Sequence, residues 1–228
     1  MEITTTTLTR AAGLAAMAAG TLFIAVQVKH PEITVDFIQS TQWKVRQGMK
    51  IAMAALALAG IAGMYLRQVR QSGVLGLLGW LLFSLGYLAM LCVEAIGLVV
   101  IPTITQSSSE YVNGVVALAT NRGSSADLGL FGALNGVQGL GYIVGGLVFG
   151  VALYRSGVLA RWAAALLAVA ALATLAPLFL PVANQRLFAL PNAIALIGLG
   201  WSLWREQRAA AVPPATTVDA PLDPAGAR

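Results

Sequence analysis

The sequence predicts an all-α polytopic membrane protein, a six-helix transmembrane bundle, and three observations carry that expectation. First, 58% of the 228 residues are hydrophobic and only 10% are charged, whereas soluble domains carry about 25% charged residues. Second, several apolar stretches reach the roughly 20 residues needed to cross a hydrocarbon core of about 30 Å. Third, Lys and Arg fall between these stretches, as topology signals do. So little polar surface excludes a soluble core-and-shell fold. The basic balance of 14 Lys and Arg against 9 Asp and Glu is then no sign of a nucleic-acid partner, and the first partner is the lipid bilayer.

The spans are expected near residues 8–28, 49–66, 74–101, 128–154, 162–182 and 187–204. They make residues 1–208 one six-helix transmembrane domain. Residues 209–228 form a Pro/Ala-rich stretch without apolar periodicity, which is expected to be a disordered tail. Arg10 precedes an Ala-rich stretch, as in a secretory signal, but that stretch is longer than a signal core and no small-x-small site follows it. It is read as an anchor.

Counting Lys and Arg sets the orientation. An inside N-terminus places Arg10, Arg67, Arg70, Arg155, Arg161, Arg205, Arg208 and Arg228 in the cytoplasm, and Lys29, Lys44, Arg46, Lys50, Arg122 and Arg186 outside. The margin is small. The two tightest turns, Arg67 to Gly73 and Arg155 to Arg161, are basic and free of acid, and short loops weigh most in this rule. Both termini are therefore expected in the cytoplasm, with the chain in a bacterial inner membrane.

Two external segments carry helical spacing. In Lys29 to Lys50, Phe37, Ile38, Thr41 and Val45 fit either a surface helix or an extension of the second span, against the plainer reading of a solvated loop. In Pro102 to Asp127, Val112, Val115, Val116 and Ala119 recur helically after Ser108 and Ser109, which are suited to capping a short helix. Such a helix would lie as a lid over anything entering from outside; a plain connecting loop is the alternative.

The wording Arg70-Gln-Ser-Gly-Val-Leu returns as Arg155-Ser-Gly-Val-Leu-Ala-Arg-Trp162. It fits either a repeated hairpin or the general use of Gly to end a helix with Arg and Trp at the interface. The fourth span is dense in glycine. Gly132 with Gly136, Gly141 with Gly145, and Gly146 with Gly150 are each four apart, a spacing that admits another helix to the backbone. It suits a central helix in the bundle or a homo-oligomer contact, and Ala52, Ala55, Ala59 and Gly63 of the second span offer a complementary narrow face.

Glu94 is the only acidic residue inside a long apolar stretch. A carboxylate there is costly unless it is paired, protonated or wet, which makes it the leading candidate for a site. At about 1.5 Å per residue it lies roughly 12 Å below the external end of its span, and Asn135 and Gln138 lie roughly 10 and 15 Å below theirs. Asn192 follows Pro191 in the outer part of span six, and Tyr87 shares a face with Glu94. These side chains are expected to meet, because each needs a polar partner in lipid. Burial disfavours the charged form of a carboxyl. The expected site is thus a polar pocket of Glu94, Asn135, Gln138, Asn192 and Tyr87 that exchanges a proton against a cationic or amphiphilic solute. The structural alternative is interhelical glue, with Glu94 bonded to Gln138 or Asn135 or paired with Arg186 or Arg122.

Catalysis has little to work with. The lone His30 stands at a helix end and the lone Cys92 inside an apolar run, so there is no disulfide, no haem ligand pair and no clustered metal site. No nucleophile with a base and no phosphate-binding loop appears. No enzyme activity, metal or cofactor is expected.

The stretches Leu8-Thr-Arg-Ala-Ala-Gly-Leu, Ala59-Gly-Ile-Ala-Gly-Met-Tyr-Leu-Arg, Arg155-Ser-Gly-Val-Leu-Ala-Arg-Trp and Pro191-Asn-Ala-Ile-Ala-Leu-Ile-Gly-Leu-Gly-Trp resemble a group of small, uncharacterised bacterial membrane proteins with six predicted helices. The resemblance implies topology and assigns no site. Two functions remain as expectations: binding or transport of a small amphiphile or lipid at the Glu94 pocket, or a non-catalytic assembly or regulatory role through the glycine-rich helix.

Overall fold

A computed structural model describes residues 4–120, 122, 126–175 and 189–211, with side chains to residue 206. Among the described residues the chain forms eight helices and no strand: α1 (Thr5–Gln27), α2 (Val35–Gln39), α3 (Thr41–Arg67), α4 (Val69–Val99), α5 (Ser109–Ala119), α6 (Gly129–Ser156), α7 (Arg161–Ala173) and α8 (Leu190–Ala211). Four of them, α1, α3, α4 and α6, are long and apolar enough to cross a membrane. α7 is apolar but shorter, and most of the remainder of the fifth expected span falls in residues 176–188, outside those described. The sequence expectation of six spans is thus met at this level by four.

The helix boundaries differ from expectation in two places. α3 begins at Thr41 instead of near residue 49, because Ser40 Oγ accepts from Trp43 N at 3.1 Å and starts the helix early. α8 continues to Ala211, past the expected start of the tail at 209; residues 212–228 lie outside those described.

α1 packs on α3 and α8, α4 on α3 and α6, and α7 on α6 and α8. These six helices close a ring. Every neighbour is antiparallel: Gly20 faces Ala193 while Gly13 faces Gly200, Gly86 faces Tyr142 while Gly79 faces Phe149, and Gly146 faces Ala171 while Gly150 faces Ala168. One end of the ring therefore carries the α3–α4 and α6–α7 turns, the start of α1 and the end of α8. The other end carries α2 and α5.

Lipid tails give helices no hydrophobic reason to associate, so close backbone contact must hold the ring. The α4–α6 seam shows it: a Cβ added at Gly86 would stand 2.5 Å from Tyr142 N, and one at Gly141 2.7 Å from Gly86 Cα. Around the seam Phe83, Tyr87, Tyr142 and Phe149 form an aromatic cluster. Only the inner part of the glycine pattern packs, however. A Cβ at Gly136 or Gly139 would meet nothing within 4 Å, and one at Gly132 would meet only Leu128. Nor is α3 the partner of α6. Its Ala52, Ala55 and Ala59 are exposed, and its Gly63 packs on Ala12 of α1.

The turn end is tied by polar contacts. Arg67 pairs with Glu206, the Ser156 hydroxyl meets the side chain of buried Gln68, and Ala160 N donates to Ser202 Oγ at 3.0 Å. The repeated turn wording has a shared backbone consequence, since Gly73 holds φ 54° and Gly157 φ 66°, a region that suits glycine. Gly157 ends α6; Gly73 kinks α4, so that the uninterrupted span begins at Val74, as expected.

Candidate functional site

The early start of α3 builds the site. Trp43, Gln47 and Lys50 recur at helical spacing along one flank, and all three turn to α4. Trp43 Nε1 donates to Gly97 O at 2.8 Å, and Lys50 Nζ donates to Glu94 Oε2 at 3.2 Å. Gly97 also leaves room for the Gln47 amide, which a Cβ there would strike. The neighbouring Arg46 turns the other way. Its guanidinium donates to Val26 O at 2.6 Å and to Val28 O and Lys29 O at 3.0 Å, satisfying carbonyls left open where α1 ends.

The Lys50–Glu94 ion pair borders a cavity of about 280 Å³ whose polar lining is Gln47, Lys50, Glu94, Asn135 and Gln138. Ile33, Val93, Ile101, Val115, Leu118 and Phe131 supply its apolar wall. α5 lies over it: Val112 is fully buried against a cluster of Phe37, Ile38, Trp43 and Ile101, and Val115 packs on the same cluster. The external helix expected from the spacing of Val112, Val115, Val116 and Ala119 is formed, although Ser108 makes no side-chain cap bond. A second cavity of about 540 Å³, lined by His30, Glu32, Thr120 and Arg122, shares Lys50, Ile33 and Ala119 with the first.

The pair is partly desolvated, with side-chain exposures of 21% for Lys50 and 12% for Glu94. Two unit charges about 4 Å apart attract by about 4 kcal/mol at an effective dielectric of 20, but desolvation offsets much of that gain. Lys50 Nζ also stands 5.9 Å from the centroid of the Trp43 ring, within cation–π range. Two buried acceptors beside it are unsatisfied: Gln47 Oε1 and Gln138 Oε1 have no hydrogen-bond partner among the described residues. A buried polar atom left unpaired costs about 1–3 kcal/mol.

Three of the five residues expected at the site therefore come together: Glu94, Asn135 and Gln138. The other two do not join them. Asn192 Nδ2 donates to Tyr87 Oη at 3.3 Å, and both residues are fully buried in the main core. Of the partners considered for Glu94, Arg186 lies outside the described residues, and Arg122 lines the neighbouring cavity. The partner is Lys50, at the start of the second expected span, which was not among the partners considered for Glu94. The spacing 43, 47, 50 was the signal that these residues belong to a helix flank.

No group of three or more His, Cys, Asp or Glu suited to a metal occurs among the described residues. No family model, curated protein or solved structure matches the chain. Fold and site together define a class: among the described residues, a helical bundle with four helices long and apolar enough to cross a membrane and an ion-paired polar cavity at one end.

Proposed function

We propose that this chain is a six-span protein of a bacterial inner membrane, with both termini cytoplasmic, that binds or passes a small amphiphilic solute at the Glu94 cavity without catalysis. The single observation that supports this reading is the cavity, in which a charged pair and the amide residues Gln47, Asn135 and Gln138 meet an apolar wall. Polar groups converging in an apolar pocket are the usual form of a small-molecule site. The size favours a small solute over a lipid, since about 280 Å³ is the share of roughly nine waters at about 30 Å³ each. The six-span count rests on α7 and α8 completing the ring. The resemblance to small six-helix bacterial membrane proteins belongs to the same proposal.

The test is thermal melting of the protein in lipid nanodiscs against a panel of small amines, polyols and carboxylates, repeated with Val115→Trp to fill the cavity. At least one class is expected to raise the melting temperature of the unsubstituted protein and to lose that effect in the filled variant. Stabilisation by none of them, or stabilisation that survives filling, would count against the reading.

A second reading, assembly through the fourth expected span, draws on the open Gly132, Gly136 and Gly139 beside exposed Leu130, Val137 and Leu140. Small residues beside apolar ones on a lipid-facing helix suit a homo-oligomer. Disulfide trapping between Gly136→Cys copies in a Cys92→Ser background is expected if the reading holds, and a strictly monomeric chain would remove it.

A further inference from the structure

The Lys50 ammonium occupies the most polar corner of the cavity. It donates to Glu94 Oε2 at 3.2 Å and stands 5.9 Å from the Trp43 ring. Gln47 and Gln138 line the same cavity, and the Oε1 of each is buried without a partner among the described residues. Gln47 is 2% exposed, so its oxygen has no bulk water to turn to. A carboxylate and an aromatic face are together surroundings that favour an ammonium group. An anion would pair with Lys50 only by taking it from Glu94, whose carboxylate would then face the anion without a counter-charge.

We infer that Lys50 stands in for the head group of the natural ligand, and that this ligand is a small organic cation with a primary ammonium group, which displaces Lys50 from Glu94 on binding. This deepens the proposed function and rests on it. The displaced lysine has a place to go. Lys50 lines both the inner cavity and the outer one of about 540 Å³, where Glu32 offers the opposite charge. The apolar wall of Val93, Val115, Leu118 and Phe131 takes the hydrocarbon part of the cation. Lys50 is thus a tethered competitor that keeps Glu94 paired when no ligand is present. If it holds Glu94 about nine-tenths of the time, its removal strengthens ligand binding about tenfold, because the competent state becomes the prevailing one.

The experiment measures binding of butylammonium to the full-length protein in nanodiscs, beside its neutral analogue butanol and its anionic analogue butyrate. Butylammonium is expected to bind the unsubstituted protein in preference to both analogues, to bind Lys50→Met about tenfold more tightly, and to lose binding in Glu94→Gln. Gln138→Met, which keeps side-chain volume and removes an amide from the cavity lining, is expected to weaken butylammonium severalfold and serves should Glu94→Gln fail to fold. Preferential binding of butanol or butyrate overturns the inference and leaves the cavity reading standing. Butylammonium binding to Lys50→Met alone also overturns it, because Lys50 is then a permanent counter-ion. Binding of no probe to any variant overturns both.

Discussion

Removing the Glu94 carboxylate alone is expected to cost more stability than removing it together with Lys50, because a single substitution strands the other charge in a partly desolvated site. A double-mutant cycle of Glu94→Gln and Lys50→Met, read by melting in nanodiscs, should give a coupling of about 1 kcal/mol, the scale found for polar contacts between membrane helices. Strict additivity would show that the two side chains do not act as a pair. At this scale the sequence was half legible. Glu94 stood out because an acid in an apolar stretch needs a reason to be there. Lys50 did not, because four cations and two acids from residue 29 to residue 50 suit a solvated segment as well as a helix flank, and only the fold separates Arg46, which caps α1, from Lys50, which faces α4. Asn192 and Tyr87 bond to each other and not to Glu94, with Asn192 Oδ1 left without a partner among the described residues. Depth along a helix does not say which way a side chain turns.

Among the elements, α6 gives the sharpest contrast between positions that look alike in sequence. A Cβ at Gly145 would run into the backbone of Phe83, whereas one at Gly136 would meet nothing within 4 Å. Gly145→Ala is therefore expected to destabilise by about 1–3 kcal/mol through overpacking. Gly136→Ala should be neutral or stabilise by up to about 1 kcal/mol through helix propensity. Equal effects in thermal melts would contradict the α4–α6 seam. The spacing of glycines marked α6 as a packing helix, but periodicity is blind to where close packing ends: α4 and α6 touch backbone to backbone at Gly79 and Gly86, whereas Phe131, Asn135 and Gln138 of α6 share a cavity with Val93 and Glu94 of α4 and Val115 of α5. α5 itself was legible from its valines. The start of α3 was not, since its cap, Ser40, lies among polar residues that also suit a loop.

For the whole molecule, the antiparallel ring puts the two basic turns at the end opposite α2 and α5, and the proposed orientation makes that end cytoplasmic. In a Cys92→Ser background, Ser108→Cys before α5 should react with a membrane-impermeant maleimide in intact cells, and Gln71→Cys only after lysis; the reverse pattern would invert the topology. Composition alone was enough for the membrane class, while the ring order and the cavity depended on contacts between distant parts of the chain, such as Lys50 with Glu94 and Gly20 with Ala193. The central claim is that Glu94 belongs to a cavity that receives a solute. Its most direct test is infrared difference spectroscopy of the Glu94 carboxyl band in lipid, assigned against Glu94→Gln and recorded with and without small amines, alcohols and carboxylates. A band that shifts in the presence of a solute, and returns when the solute is washed out, is the expected result. A band indifferent to every solute would mean that the Lys50–Glu94 pair is a sealed structural tie.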